Sequence, residues 1–148
     1  SAVPLFRQLA ADIGPARMRA FLQDIDYGNA DIGAEADAFW LTGDLRISAV
    51  EQVEFLTRLA NGRLGVSAES VAAVREALAR EVASGVVLYT KTGSGRIEGN
   101  EASGFLGWKM GWVERDGVIT VFAFWTEADS YAAMREKRRE FGGTLIQK

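Results

Sequence analysis

The sequence predicts an α+β fold in which helices pack against an antiparallel sheet. Three observations carry that expectation. Apolar residues recur at helical spacing in the segments before residue 84. From Phe105 to Glu114 the period changes to two, with Leu106, Trp108, Met110 and Trp112 on one face. Arg115-Asp116-Gly117 then reads as a hairpin turn into Val118 to Trp125, a run apolar on both faces.

The elements follow in order. Pro4 suits the first turn of a helix reaching Ile13, with Leu5, Leu9 and Ile13 at roughly helical spacing. Gly14 stops it, and Pro15 opens a second helix through Ile25. Tyr27-Gly28-Asn29 reads either as a plain turn or as a substrate-proximal motif. Residues 30 to 38, small and acidic, read as a surface loop, and Phe39-Trp40-Leu41 is an apolar knot after it. Ser48 and Glu51 have the spacing of a capping box, opening a helix to Ala60 with Val50, Val53, Phe55, Leu56 and Leu59 available for burial. Ser67 caps a further helix, read as running to Ala83 with Val71, Val74, Leu78 and Val82 toward a core. Val86 to Tyr89 is a buried strand, residues 93 to 104 a glycine-rich loop, and Ala128 to Phe141 a closing helix. Three strands in meander order result.

The composition excludes several function classes. A chain of 148 residues with 48% hydrophobic and 25% charged residues is long enough for one domain with a sizeable core. A net charge of −3 gives no electrostatic basis for binding nucleic acid or an anionic membrane, and no apolar run reaches the length of a membrane span. The chain has neither cysteine nor histidine, so thiolate chemistry and the commonest general base are both absent. Acid–base work falls to Lys, Asp, Glu, Tyr or a modified side chain. Asp24, Asp26, Asp31, Glu35 and Asp37 have no ligand-loop spacing, so no metal site is expected and the group reads as solvated surface. The basic run at 135–139 reads, on its own, as a solvated helix face.

The chemistry concentrates at Lys91-Thr92-Gly93-Ser94, where the apolar strand runs into a cation, a hydroxyl and a glycine. That combination suits an anionic substrate lying along a strand edge. Lys91 would bring charge, Thr92 a hydrogen bond, and Gly93 room for close backbone approach. The same residues also fit a strand that simply ends in a turn.

Ser1-Ala2-Val3, Tyr27-Gly28-Asn29, Phe39-Trp40-Leu41 and Lys91-Thr92-Gly93 occur in one order. Leu45 to Leu56 lies between them, and Gly107-Trp108-Lys109-Met110-Gly111-Trp112-Val113-Glu114 follows. This set closely resembles the class D (oxacillinase-type) serine β-lactamases, of the penicillin-binding transpeptidase-like family, and the related β-lactam sensor domains. The resemblance extends over essentially the whole chain.

The resemblance implies a mechanism. A serine in a Ser-x-x-Lys motif attacks the β-lactam carbonyl and forms an acyl-enzyme, and the lysine of that motif, carboxylated, is the general base. No dissociable cofactor is implied. Ser1 matches the serine that passes a proton to the leaving nitrogen, and Lys91 the lysine that polarises the site beside it. Trp40 matches the indole that holds the carbamate, with Val3 and Leu41 as its apolar shield. Thr92 would meet the substrate carboxylate, Gly93 would admit the substrate, and the Ser94 N–H would form half of the oxyanion hole. Arg135 is the choice for the carboxylate-binding arginine, with Arg138 and Arg139 close by. A periplasmic or secreted location and a role in antibiotic resistance follow from the same resemblance.

No serine of the chain has a lysine three places on. Residues 1–148 are therefore expected to be the C-terminal part of a single β-lactamase-like domain that starts in mid-fold. The nucleophile would come from a missing N-terminal segment or a complementary chain. Besides the hydrolase, a β-lactam-sensing receptor domain and an inactive homologue share these motifs.

Overall fold

The computed structural model describes residues 2–34, 37–41, 43–97 and 104–147, with the backbone alone at 81 and 144–147. The chain forms two compact units, Ser1–Phe55 and Leu56–Lys148.

In the first unit, α1 (Val3–Ile13) and α2 (Pro15–Asp24) both have a proline in their first turn. The apolar spacing of α1 forms the expected helix but does not bury its apolar residues. Leu5, Leu9 and Ile13 stay exposed and only Ala10 is buried. The core of this unit is instead Leu22, Ile32 and Phe39, with Met18, Tyr27, Trp40 and Leu45 packed on it. Asn29 ties the Tyr27-Gly28-Asn29 turn to the returning chain. Its N–H donates to Arg46 O (3.0 Å), its Oδ1 accepts from the Arg46 N–H (2.9 Å), and its Nδ2 donates to Asp44 O (2.8 Å). Gly28 takes φ +54°, and a Cβ there would lie 2.1 Å from Arg46 O, so the turn requires glycine twice over. In the acidic loop, Asp31 Oδ1 accepts the Gly33 N–H and Asp37 pairs with Arg7 at 2.7 Å.

Helix α3 (Ala49–Ala60) opens on the expected capping box: the Ser48 N–H donates to Glu51 Oε2 (2.7 Å) and the Glu51 N–H to Ser48 Oγ (3.2 Å). Leu56 and Leu59 are buried, whereas Val50 is exposed and Gln52 takes an interior position.

The second unit is built on a four-stranded antiparallel sheet of order β1-β2-β3-β4. Helix α4 (Ala68–Leu78) is capped by Ser67, whose Oγ accepts the Ser70 N–H at 3.2 Å. Ser67→Ala is expected to cost about 1 kcal/mol and Ser67→Asp to restore it, read from urea midpoints. The helix ends five residues before the expected Ala83. Ala79 turns extended (φ −62°, ψ 135°), and Ala79–Ala83 becomes β1, paired with β2 (Val86–Arg96) from Ala79↔Tyr89 onward. A row of ladder hydrogen bonds there outweighs a helix-favouring sequence, and no residue of α4 is buried.

The structure also extends β2 through Lys91–Arg96, which the sequence assigned partly to a glycine-rich loop. This stretch pairs in full with β3 (Phe105–Arg115), ending at Arg96↔Phe105. Residues 98–103 of the expected loop lie outside the described residues. The hairpin at Asp116-Gly117 has positive φ at both positions (50° and 78°) and joins β4 (Val118–Ala128) in register Arg115↔Val118. Helix α5 (Tyr131–Gln147) starts after Ser130, whose Oγ accepts the Ala133 N–H, so the closing helix begins three residues later than expected.

The two sheet faces differ. On one, Val86, Leu88, Val113 and Phe122 form a core extended by Phe124, and α5 lies over it. There Phe141 meets Phe124 (ring centroids 5.9 Å apart), and fully buried Met134 sits against Gly107. On the other, Trp112 is 0% exposed and stacks on Tyr89 at 4.7 Å. The Arg75 guanidinium lies over that Tyr89 ring (4.7 Å) and pairs with Glu114 at 2.6 Å. Glu114 also accepts from Tyr89 Oη and from the Trp112 indole N–H (3.2 Å each). This bonded cluster fastens α4 to β2 and β3.

Candidate functional site

Strand β2 presents Lys91, Thr92, Gly93 and Ser94 where the sheet changes. The ladder to β1 ends at Tyr89, while the ladder to β3 continues to Arg96. One side of the Lys-Thr-Gly segment therefore lies beyond the end of β1, as a substrate lying along a strand edge requires. Alternation sends Lys91 to the Trp112 face and Thr92 to the α5 face. The Lys91 ammonium donates to Thr92 O at 2.6 Å. Among the described residues, a Cβ on Gly93 would meet only Trp108 Cβ, at an ordinary 3.7 Å, so their packing does not demand glycine there.

Arginines of α5 approach this segment from one face. Arg138 Nη1 donates to Gly93 O (2.7 Å) and Ser94 Oγ (2.9 Å), with a longer contact to Trp108 O (3.5 Å). Arg135, the arginine singled out from the sequence, lines a cleft of about 430 Å³ together with Thr92, Lys109 and Arg138. Its guanidinium lies 5.8 Å from the Tyr131 ring centroid. Arg138 is thus the guanidinium bonded directly to β2. The signal for it is the three-residue spacing, which puts 135 and 138 on one side of a helix. Burial, and then the charge of Arg138, holds the Lys109 ammonium below its ordinary range. Burial likewise lowers Arg138, with Arg135 adding to that and Tyr131 opposing it.

The remaining predicted residues belong to the first unit. Val3 is the first residue of α1, and Ser1 lies outside the described residues. Trp40 is half-buried, edge-on to Phe39 (5.0 Å), in the Leu22–Ile32–Phe39 core. Leu41 is 46% exposed, and its N–H donates to Ala38 O. Nearby, Tyr27 Oη donates to buried Gln52 Oε1 at 2.9 Å. Burial raises the Tyr27 hydroxyl, and the Gln52 bond works against that rise. Nothing in the sequence pattern distinguished Gln52, which sits one place after the capping glutamate. Among the described residues no group of three or more acidic, histidine or cysteine side chains is placed to hold a metal.

Comparison with known proteins gives one consistent result. The penicillin binding protein transpeptidase domain family matches residues 1–144. Beta-lactamase OXA-10 of Pseudomonas aeruginosa is 42% identical over 130 residues, which is 88% of this chain and 48% of that protein. Beta-lactamase OXA-48 of Klebsiella pneumoniae is 43% identical over 124 residues, 83% of this chain and 45% of that protein. Among solved structures, FUS-1 (OXA-85), a class D β-lactamase from Fusobacterium nucleatum subsp. polymorphum, superposes with a TM-score of 0.83 at 32% identity. That match covers 97% of this chain and 59% of FUS-1. The chain spans about half the length of the curated relatives it matches.

Proposed function

Because the chain belongs to the penicillin binding protein transpeptidase domain family, we propose that it is part of a class D β-lactamase that hydrolyses β-lactams through a serine acyl-enzyme. One observation carries this reading: a Lys-Thr-Gly segment that runs past the end of β1 and is met by arginines of α5. Such a segment can hold a carboxylate by one hydroxyl and a guanidinium while its backbone N–H groups face a carbonyl.

In this reading the serine nucleophile and the carboxylated base lysine come from residues other than these 148. Ser1 and Lys91 move the proton toward the leaving nitrogen. The Trp40 indole N–H donates to the carbamate, and Val3 and Leu41 keep water from it. Thr92 with Arg135 takes the carboxylate, and the Ser94 N–H forms half of the oxyanion hole. The site would then work in the periplasm or outside the cell. Among the described residues, no helix is long and apolar enough to cross a membrane.

The test is a chromogenic β-lactam offered to the full-length protein and to the 148 residues alone. Turnover by the first and none by the second supports the reading. Turnover by the 148 residues alone would place the nucleophile within them and overturn the assignment. In the full-length protein, Arg135→Ala is expected mainly to raise KM, by about 10- to 100-fold if one charged hydrogen bond is lost. A KM unchanged by Arg135→Ala but raised by Arg138→Ala would move the carboxylate arm one helical turn.

A further inference from the structure

Lys109 is out of place in its surroundings. It sits in the middle of β3, opposite Thr92 on β2 and Phe124 on β4, on the face that α5 covers. A Cβ on buried Gly142 would come 2.1 Å from its Nζ, so the ammonium is tucked against the α5 backbone. An aliphatic side chain would fill that position at no electrostatic cost, whereas a half-buried ammonium needs a counter-charge. The cleft walls do not balance it. Among the described residues, Lys109, Arg135, Arg138 and Arg139 face a single lining carboxylate, Glu136, which is already bonded to Arg139. Among the described residues, Arg138 donates to neutral acceptors: Gly93 O, Ser94 Oγ and Trp108 O. Burial, and then their mutual repulsion, disfavours the charge on Lys109.

We propose that this cleft between α5 and the β2–β3 ladder binds a compact dianionic oxyanion, free phosphate or sulfate, held by the Lys109 ammonium and the Arg138 guanidinium. A tetrahedral dianion supplies the missing counter-charge and accepts from several donors at once. The volume of about 430 Å³ admits such an ion together with its water. Thr92 and Arg135 line the same cleft, so a bound dianion would compete with any carboxylate they hold. Lys109 has no part in the proposed hydrolysis, and binding of the ion is measured without turnover.

The experiment titrates phosphate, and separately sulfate, into the full-length protein at constant ionic strength set with chloride, followed by calorimetry. Saturable binding of either ion is expected. Lys109→Met should weaken it by about 10- to 100-fold, Arg138→Gln should do likewise, and Arg80→Ala on β1 should leave it unchanged. In buffer free of both ions, Lys109→Met should raise the melting temperature, because it removes a poorly solvated charge, so a misfolded variant is not confused with a lost site. Absence of saturable heat, or wild-type affinity in Lys109→Met, overturns the proposal.

Discussion

Gly111→Ala is expected to lose most of the stability of the sheet unit, on the order of 4 kcal/mol, from backbone strain and a backbone clash together. Gly111 has φ +153°, and a Cβ there would lie 1.9 Å from Tyr89 O and 3.0 Å from Thr90 Cα. Both atoms belong to the backbone of β2, which is bound in register to β3 along its whole length. No rotamer change relieves such a contact, and the strands would have to part where Trp112 and Tyr89 stack. Gly95→Ala is the comparison: among the described residues its Cβ would meet nothing within 4 Å, and its cost should stay below about 1 kcal/mol. Urea denaturation of the two variants decides the matter. Equal midpoints would mean that the strands do not approach as closely as described.

Lys91→Ala is expected to have the largest effect on activity, lowering kcat/KM of the full-length protein for a β-lactam by about 10²- to 10⁴-fold. The residue stands just past the end of β1, and its ammonium is held against Thr92 O at 2.6 Å. In the proposed reaction its charge serves proton transfer as well as binding, so kcat should fall rather than KM alone rise. Lys91→Arg keeps the charge but changes its reach, and should restore binding more than turnover. A kcat left intact by Lys91→Ala would remove Lys91 from the chemistry.

How much of this could be read from the sequence depended on whether the deciding interaction was local. The Ser48–Glu51 capping box, the Asp116-Gly117 hairpin and the period-two face of β3 were all legible, because each is set by neighbours in the chain. β1 was not. Ala79 to Ala83 continues a helical apolar spacing, and only its pairing with β2 makes it a strand. Lys91 to Arg96 looked like loop because glycines break its apolar pattern, yet the partner strand extends it to Arg96. The apolar spacing of α1 made the helix legible but not its exposure, since Leu5, Leu9 and Ile13 all remain open to solvent. At the candidate site, the Lys-Thr-Gly segment was legible as chemistry. The contact of Arg138 with Gly93 and Ser94, and the place of Lys109 under α5, depend on how α5 lies across the sheet.

Strand β4 has consequences for how the chain behaves at different concentrations. Among the described residues it is an edge strand in the sheet order and runs for 11 residues, with Val118 63% and Trp125 50% exposed. Its outer row of N–H and C=O groups is a template for another strand. A strand offered by a second molecule meets that template only at its bulk concentration. One tethered in the same polypeptide meets it at an effective concentration on the order of millimolar. Dilution should therefore favour separate molecules of the 148 residues and leave a tethered pairing untouched, so chain connectivity, more than affinity, decides what occupies this edge.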